Sequence, residues 1–497
     1  MPQLDVDGCG PHLKGITPPR ATARTTARGT RRLPLPTMAG QRSTSTPRRR
    51  PWIAAAVVTV TLVAGLGVWS AIAGPGEETA RDTTLPAVDD NAGDSAEDPT
   101  DDASTATDPG AAPDPDAPLG WGPTVGELED AQALVAGWNP EQLAGQVIVG
   151  RYAGTDPEEA AALVRDLHLS GVCVTSDNVL DADQVRATTA AVSAAVAADG
   201  RNFPALIGVD QEGGLVSHLR GVATDFPAFA DAGAAIAADR VGGTRVVARA
   251  ARATAMELRS LGFTWVFAPV ADVTIGAADP TIGSRSPSPD PGLAGAAAAA
   301  AVRGYDAAGV VSTTKHFPGH GGVTADSHDT LPLLDTSLEE LRAKDLLPFE
   351  AAVEAEAPAI MVAHLDVAAL APGQPASLAA QIYDFLRDDL GFEGVAITDS
   401  LGMGAVTGRQ KPAVTAFNAG ADLLLMPADT RNTHAVVTAA IGSGEISRER
   451  AEDAAARVVA LQLWQQRRAE AEPVPADVVK QAQAAATALR GGPISTS

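Results

Sequence analysis

The chain has 497 residues, enough for about three average domains or one large domain with appendages. Its 37 Lys and Arg against 61 Asp and Glu give a net charge of −24, which excludes the basic face that nucleic acid requires. Two cysteines, Cys9 and Cys173, exclude a disulfide scaffold and a multi-cysteine zinc site, whereas 45% hydrophobic residues suffice for a globular core.

The charge is uneven along the chain. Residues 1–50 carry ten Lys or Arg and two Asp, with little apolar periodicity. They fall in an expected disordered basic N-terminus, residues 1–51, within which Met38 is an alternative start to Met1. Trp52 to Gly74 is free of charge and long enough to cross a bilayer. Arg48, Arg49 and Arg50 precede it, so the N-terminus is expected to stay cytoplasmic and the rest to be exported. Its length fits a membrane anchor, and Ala71-Ile72-Ala73 fits a signal-peptide cleavage site; both readings stay open. Residues 75–120 carry thirteen Asp or Glu and one Arg, and read as an acidic, extended linker. Calcium binding there is disfavoured, because the spacing of an EF-hand is missing.

From Trp121 the pattern changes. Apolar runs at Gln146–Arg151, Gly171–Thr175, Ala205–Val209, Thr264–Pro269, Val310–Thr314, Ile360–His364, Gly394–Thr398 and Asp422–Met426 alternate with Ala-rich amphipathic stretches. Such runs predict parallel strands buried on both faces. The helices between them include Ala182–Ala198, Asp239–Leu261, Ser337–Glu354 and Pro375–Leu390. The fold expected is α/β: a single TIM-type (β/α)8 barrel over residues 121–467, followed by a C-terminal tail, 468–497. A doubly wound open sheet is the alternative. A dinucleotide-binding fold is disfavoured, because no G-x-G-x-x-G follows the first strand.

A barrel of this kind does its chemistry at the C-terminal ends of its strands. Those ends carry Asp210-Gln211-Glu212, Lys315-His316, His364-Leu365-Asp366 and Asp399-Ser400. The segment Lys315–His328 holds three histidines and is expected to form a mobile Gly-rich loop. Asp326 lies two residues before His328, close enough to orient its imidazole as a general acid/base. A metal site built from His316, His320, Asp326 and His328 is the disfavoured rival, and no cofactor is expected. Asp399 closes an apolar strand, where an idle carboxylate is costly. One carboxylate with one acid/base is the minimum for glycoside cleavage.

The segments GVDQEGG (208–214), IGSRS (282–286), KHFPGHG (315–321), DSHDTLP (326–332), MVAHLDV (361–367), LRDDLGFEGVAITDSLGM (386–403) and NAGADLLLMP (418–427) together resemble glycoside hydrolase family 3. The likeness is to its single-domain bacterial β-N-acetylhexosaminidases and covers residues 130–467. It implies a retaining double displacement with Asp399 as nucleophile, His328 as acid/base and Asp326 as its partner. By the same likeness Asp210, Arg285, Lys315 and His316 bind the sugar, and His218 stands at a sugar-binding position. Many members add a second domain that bears a Glu acid/base; this chain is expected to use the His–Asp pair instead.

Three positions depart from the pattern. Leu215 and His218 replace arginines, and Ser284 replaces an Asp. Loss of two guanidiniums is expected to weaken sugar binding, with Arg220 or a protonated His218 as partial substitutes. The leading function is an exported hydrolase that removes terminal β-linked N-acetylglucosamine, with peptidoglycan fragments as substrate. A β-N-acetylglucosaminide phosphorylase or a β-glucosidase of the same family is the alternative enzyme, and a non-catalytic cell-wall-binding protein the alternative of another class. The expected partner is an N-acetylglucosamine-containing glycan, plus a membrane if residues 52–74 are retained.

Overall fold

The computed structural model describes residues 114–491. The basic N-terminus, residues 52–74 and the acidic linker up to residue 113 lie outside the described residues. Among the described residues no helix is long and apolar enough to cross a membrane.

Eight parallel strands form the core: β1 (Ile148–Gly150), β2 (Gly171–Val174), β3 (Leu206–Val209), β4 (Trp265–Val266), β5 (Val311–Phe317), β6 (Ala359–Val362), β7 (Val395–Thr398) and β8 (Leu424–Leu425). Their order is β7-β6-β5-β4-β3-β2-β1-β8. The ring closes where Ile397 of β7 bridges Leu423, just before β8. There the Thr398 N–H donates to the Leu423 carbonyl at 3.0 Å. This is an α/β fold with a nearly closed eight-stranded parallel barrel, consistent with the TIM type, and each observed strand overlaps its expected apolar run. Asp residues 181, 239, 290 and 429 cap the helices that follow, each accepting from a first-turn N–H.

The barrel interior is filled by unequal side chains. Gly208 of β3 leaves room for Phe267, beyond β4; a Cβ at 208 would lie 2.6 Å from that ring. The ring is fully buried.

Five elements differ from the expectation; one is the stretch Pro375–Leu390, which forms a 3-10 turn (Ala376–Leu378), a short α-helix (Ala380–Asp384) and a π-helical turn (Phe385–Asp389). β5 runs on through Lys315 and His316 to Phe317, where the sequence reading ended it at Thr314. Its charged end stays in the strand because carboxylates meet it inside the barrel, as described below. The stretch Ser337–Glu354 is two helices, Leu338–Ala343 and Leu347–Glu354. Pro348 explains the break, since its ring excludes the carbonyl four residues earlier from a continuous helix. Residues 114–120, assigned to the linker, are tied to the domain: Val125 N–H bonds the Ala117 carbonyl and Gly126 N–H that of Pro115. The stretch assigned to a tail includes the end of helix Arg448–Ala471 and a further helix, Val478–Leu489. The latter buries Val478, Ala482, Ala485, Ala486 and Leu489, an apolar stripe that pays for its order.

Gly208→Ala is expected to cost about 1–3 kcal/mol of unfolding free energy by overpacking, measured by urea denaturation. Phe267→Leu in the same chain should recover part of it; no loss in the single variant would contradict this packing.

Candidate active site

A cavity of about 420 Å³ opens at the C-terminal end of the barrel. Asp210, His218, Arg285, Lys315, His316, His328 and Asp399 all line it. Seven of the eight expected site residues therefore share one chamber. The eighth, Asp326, stands behind His328, its Oδ1 2.7 Å from the imidazole Nδ1.

The floor of the chamber is a buried charge cluster. Lys315 Nζ lies 2.5 Å from Asp210 Oδ1 and 2.7 Å from Glu212 Oε1. Arg285 grips Glu212 with two bonds, 2.9 Å from Nε and 2.8 Å from Nη2. The Lys315 and Glu212 side chains are each 2% exposed. Burial alone would raise the Glu212 carboxyl, but Lys315 and Arg285 outweigh it and hold it at about 2. Burial would likewise lower the Lys315 ammonium, yet Asp210 and Glu212 raise it. Two carboxylates thus face two cations, and their formal charges sum to zero.

Asp272, unremarked in the sequence reading, organises the next layer. It is fully buried beyond β4 and accepts from His316 Nδ1 at 2.6 Å, the His316 N–H at 3.2 Å and the His320 N–H at 2.6 Å. The carboxylate fixes the proton on His316 Nδ1, so Nε2 faces Arg285 Nη2 at 3.4 Å as an acceptor. Lys315 and His316 both reach the cavity because β5 bulges between Lys315 and Phe317 in its pairing with β6.

The segment expected to be a mobile loop is closely packed up to Gly321. A Cβ at Gly321 would lie 2.5 Å from the Val273 carbonyl, which explains the glycine. His320 Nε2 meets Ser327 Oγ at 2.9 Å. The Gly404 N–H donates to the His328 carbonyl at 2.8 Å, and the Ala405 N–H to that of Ser327 at 3.3 Å. The loop bearing His328 is thereby bonded to the loop that follows Asp399. The His328 side chain itself remains 65% exposed, open to solvent and to a leaving group.

Asp399 directly follows β7, and its Oδ1 accepts from the Ser400 N–H at 2.7 Å. Burial would raise its carboxyl; His364, His316, the Ser400 N–H and Lys315 outweigh this and bring it to about 2. His364 is fully buried, which lowers its pKa against the pull of Asp399. Its Nε2 donates to the Ser400 carbonyl at 2.9 Å, while Nδ1 meets Ser377 Oγ at 2.6 Å. It braces the Asp399 turn and does not line the cavity. Asp366 points elsewhere, accepting from the Gly373 N–H. Among the described residues no three His, Cys, Asp or Glu side chains converge on a metal position.

The departures at 215, 218 and 284 divide. Leu215 is 79% exposed and outside the cavity, so its change from arginine removes nothing from the chamber. Ser284 is exposed and also outside it. Arg220 does not substitute, because its guanidinium bonds the carbonyls of Gly214 and Leu215. His218 does line the cavity. Its Nδ1 is held by Ser176, 3.2 Å from the backbone N–H and 2.8 Å from Oγ, which leaves Nε2 as the ring nitrogen free for a ligand.

Asp272→Asn should cost at least about 1.5–3 kcal/mol, the worth of one charged hydrogen bond. Asp326→Asn, at an exposed pair, should cost under about 1 kcal/mol. Urea denaturation of the two variants that ranked them equally would contradict the organising role of Asp272.

Residues 132–461 match the family model described as the glycosyl hydrolase family 3 N-terminal domain. The chain is 40% identical over 238 residues to a beta-hexosaminidase of Stenotrophomonas maltophilia, covering 48% of this chain and 69% of that one. It is 35% identical over 295 residues to beta-hexosaminidase A of Pseudoalteromonas piscicida, covering 56% of this chain but only about half, 49%, of that relative. Among solved structures, a family 3 β-N-acetylglucosaminidase from Paenibacillus superposes with a TM-score of 0.64 at 31% identity, covering 70% of this chain and 68% of that one. LpqI of Mycobacterium tuberculosis superposes with a TM-score of 0.60 at 31% identity, covering 67% and 96%. The chain belongs to glycosyl hydrolase family 3, as a glycoside hydrolase of the β-N-acetylhexosaminidase type.

Proposed function

We propose that the protein is an exported retaining hydrolase that removes terminal β-linked N-acetylglucosamine, with peptidoglycan fragments as its substrate. The observation that carries the chemistry is that Asp399 and His328 line one cavity, with His328 oriented by Asp326 at 2.7 Å. The names of the relatives support the sugar. The apolar run at 52–74 supports export, and export supports a cell-wall substrate.

In this mechanism the sugar is gripped by Asp210, Lys315, His316, Arg285 and His218. Asp399, ionised near neutral pH, attacks the anomeric carbon from within the barrel. The bond to the leaving oxygen breaks as protonated His328 supplies the Nε2 proton. Asp326 keeps the other proton on Nδ1, so Nε2 is the nitrogen that exchanges. Water then attacks the glycosyl-enzyme, giving its proton to Nε2 and releasing Asp399.

Asp399→Asn should lower kcat by at least about 10⁴-fold with the fold retained, because the amide cannot attack. A fluorinated sugar should label Asp399 in the parent enzyme, and peptide mapping to Glu212 or Asp366 would contradict the assignment. The depressed carboxyl adds a pH test. Asp399 is ionised above about pH 2, so with an activated leaving group, which needs little protonation, the labelling rate should not fall as pH drops from 7 to about 4. An ordinary Asp, at about 3.9, would be half protonated there.

His328→Ala should lose about 10²–10⁴-fold on substrates with poor leaving groups and much less in the first step on activated aryl glycosides. Azide should restore turnover of the aryl substrates. Equal losses on both substrate types would assign His328 to binding instead.

A further inference from the structure

Arg151 directly follows β1 at the rim of the cavity. Its backbone is pinned from both sides by one hydroxyl. The Arg151 N–H donates to Thr430 Oγ1 at 3.0 Å, and that hydroxyl donates to the Arg151 carbonyl at 3.1 Å. Its guanidinium lies over the turn that follows Asp399, since a Cβ at Gly402 would stand 3.4 Å from Arg151 Nη1. The other arginine and the lysine of the chamber are neutralised by Glu212 and Asp210. Among the described residues, Arg151 makes no side-chain hydrogen bond and has no carboxylate within 4 Å. A fixed backbone thus presents an unmatched planar cation to the substrate chamber.

The depth of the group decides which part of a substrate it meets. Lys315, 2% exposed, marks the floor that grips the sugar, whereas Arg151 is exposed at the mouth. The mouth is where a leaving group extends. A guanidinium fork matches a carboxylate with two parallel bonds, which a neutral hydroxyl cannot do. We propose that Arg151 is a specificity-determining residue that binds a carboxylate carried by the leaving group, and so selects acidic aglycones. The inference rests on the hydrolase reading above.

The test compares two β-N-acetylglucosaminides whose aglycones differ only in a free carboxylate or its methyl ester. For the parent enzyme kcat/KM should favour the acid about tenfold or more, and the preference should shrink with added salt. Arg151→Gln should bring the ratio close to one, and Arg151→Lys should keep part of it. A parent ratio near one, an unchanged ratio in Arg151→Gln, or equal losses on acid and ester would each overturn the proposal. Sulfur-linked analogues of the same pair, titrated by calorimetry, read the ratio as binding without turnover. Failure of the parent to cleave either substrate would count against the hydrolase reading, while the calorimetric ratio would still decide the role of Arg151.

Discussion

Two carboxylates and two cations buried together under the sugar site are the constraint on which the rest of this structure depends. Taking Asp210, Glu212, Arg285 and Lys315 from water is costly one at a time. Together they sum to zero, and each cation touches a carboxylate within 3 Å. Cancelled in this way, the cluster presents rigid donors and acceptors to a sugar without a net field of its own. Asp399 then sits near imidazoles and a lysine with its carboxylate charge uncancelled by any ion pair, which is the condition for a nucleophile.

A second constraint joins the two loops that carry the chemistry. The barrel brings β5 and β7 to opposite sides of β6, so their end loops do not meet by strand pairing. They meet through backbone bonds from Gly404 and Ala405 to His328 and Ser327. A Cβ at Gly404 would lie 2.7 Å from the His328 carbonyl, so glycine is required for that approach. Asp272 and His320 support the same loop from below, through the His320 N–H and the Ser327 hydroxyl. The exposed imidazole therefore stands on a buried and bonded base.

Much of this was legible in the sequence. Continuous apolar runs fixed the eight strands because burial on both faces leaves a pattern that needs no partner to recognise. The Asp326–His328 pair was legible because its geometry is local. The rest depends on contacts between distant segments. Asp272 sits in an apolar stretch, and only the fold brings it to His316 and His320. Leu215 and His218 were both read as lost arginines that weaken sugar binding, yet a turn after β3 sends Leu215 to solvent and only His218 to the cavity. The helix Val478–Leu489 was missed because its Ala-rich stripe gains its meaning from the helix Arg240–Ser260 against which it packs. Arg151 carried no motif at all; its interest comes from the charges that the fold does not bring to it.

The central claim is that Asp399 forms a bond to the sugar and that water later breaks it from the same face. Two displacements restore the original configuration, whereas one direct attack by water inverts it. Proton NMR of the first sugar released from a β-N-acetylglucosaminide, recorded before mutarotation, reads this directly. The account predicts the β anomer as first product; the α anomer would contradict it.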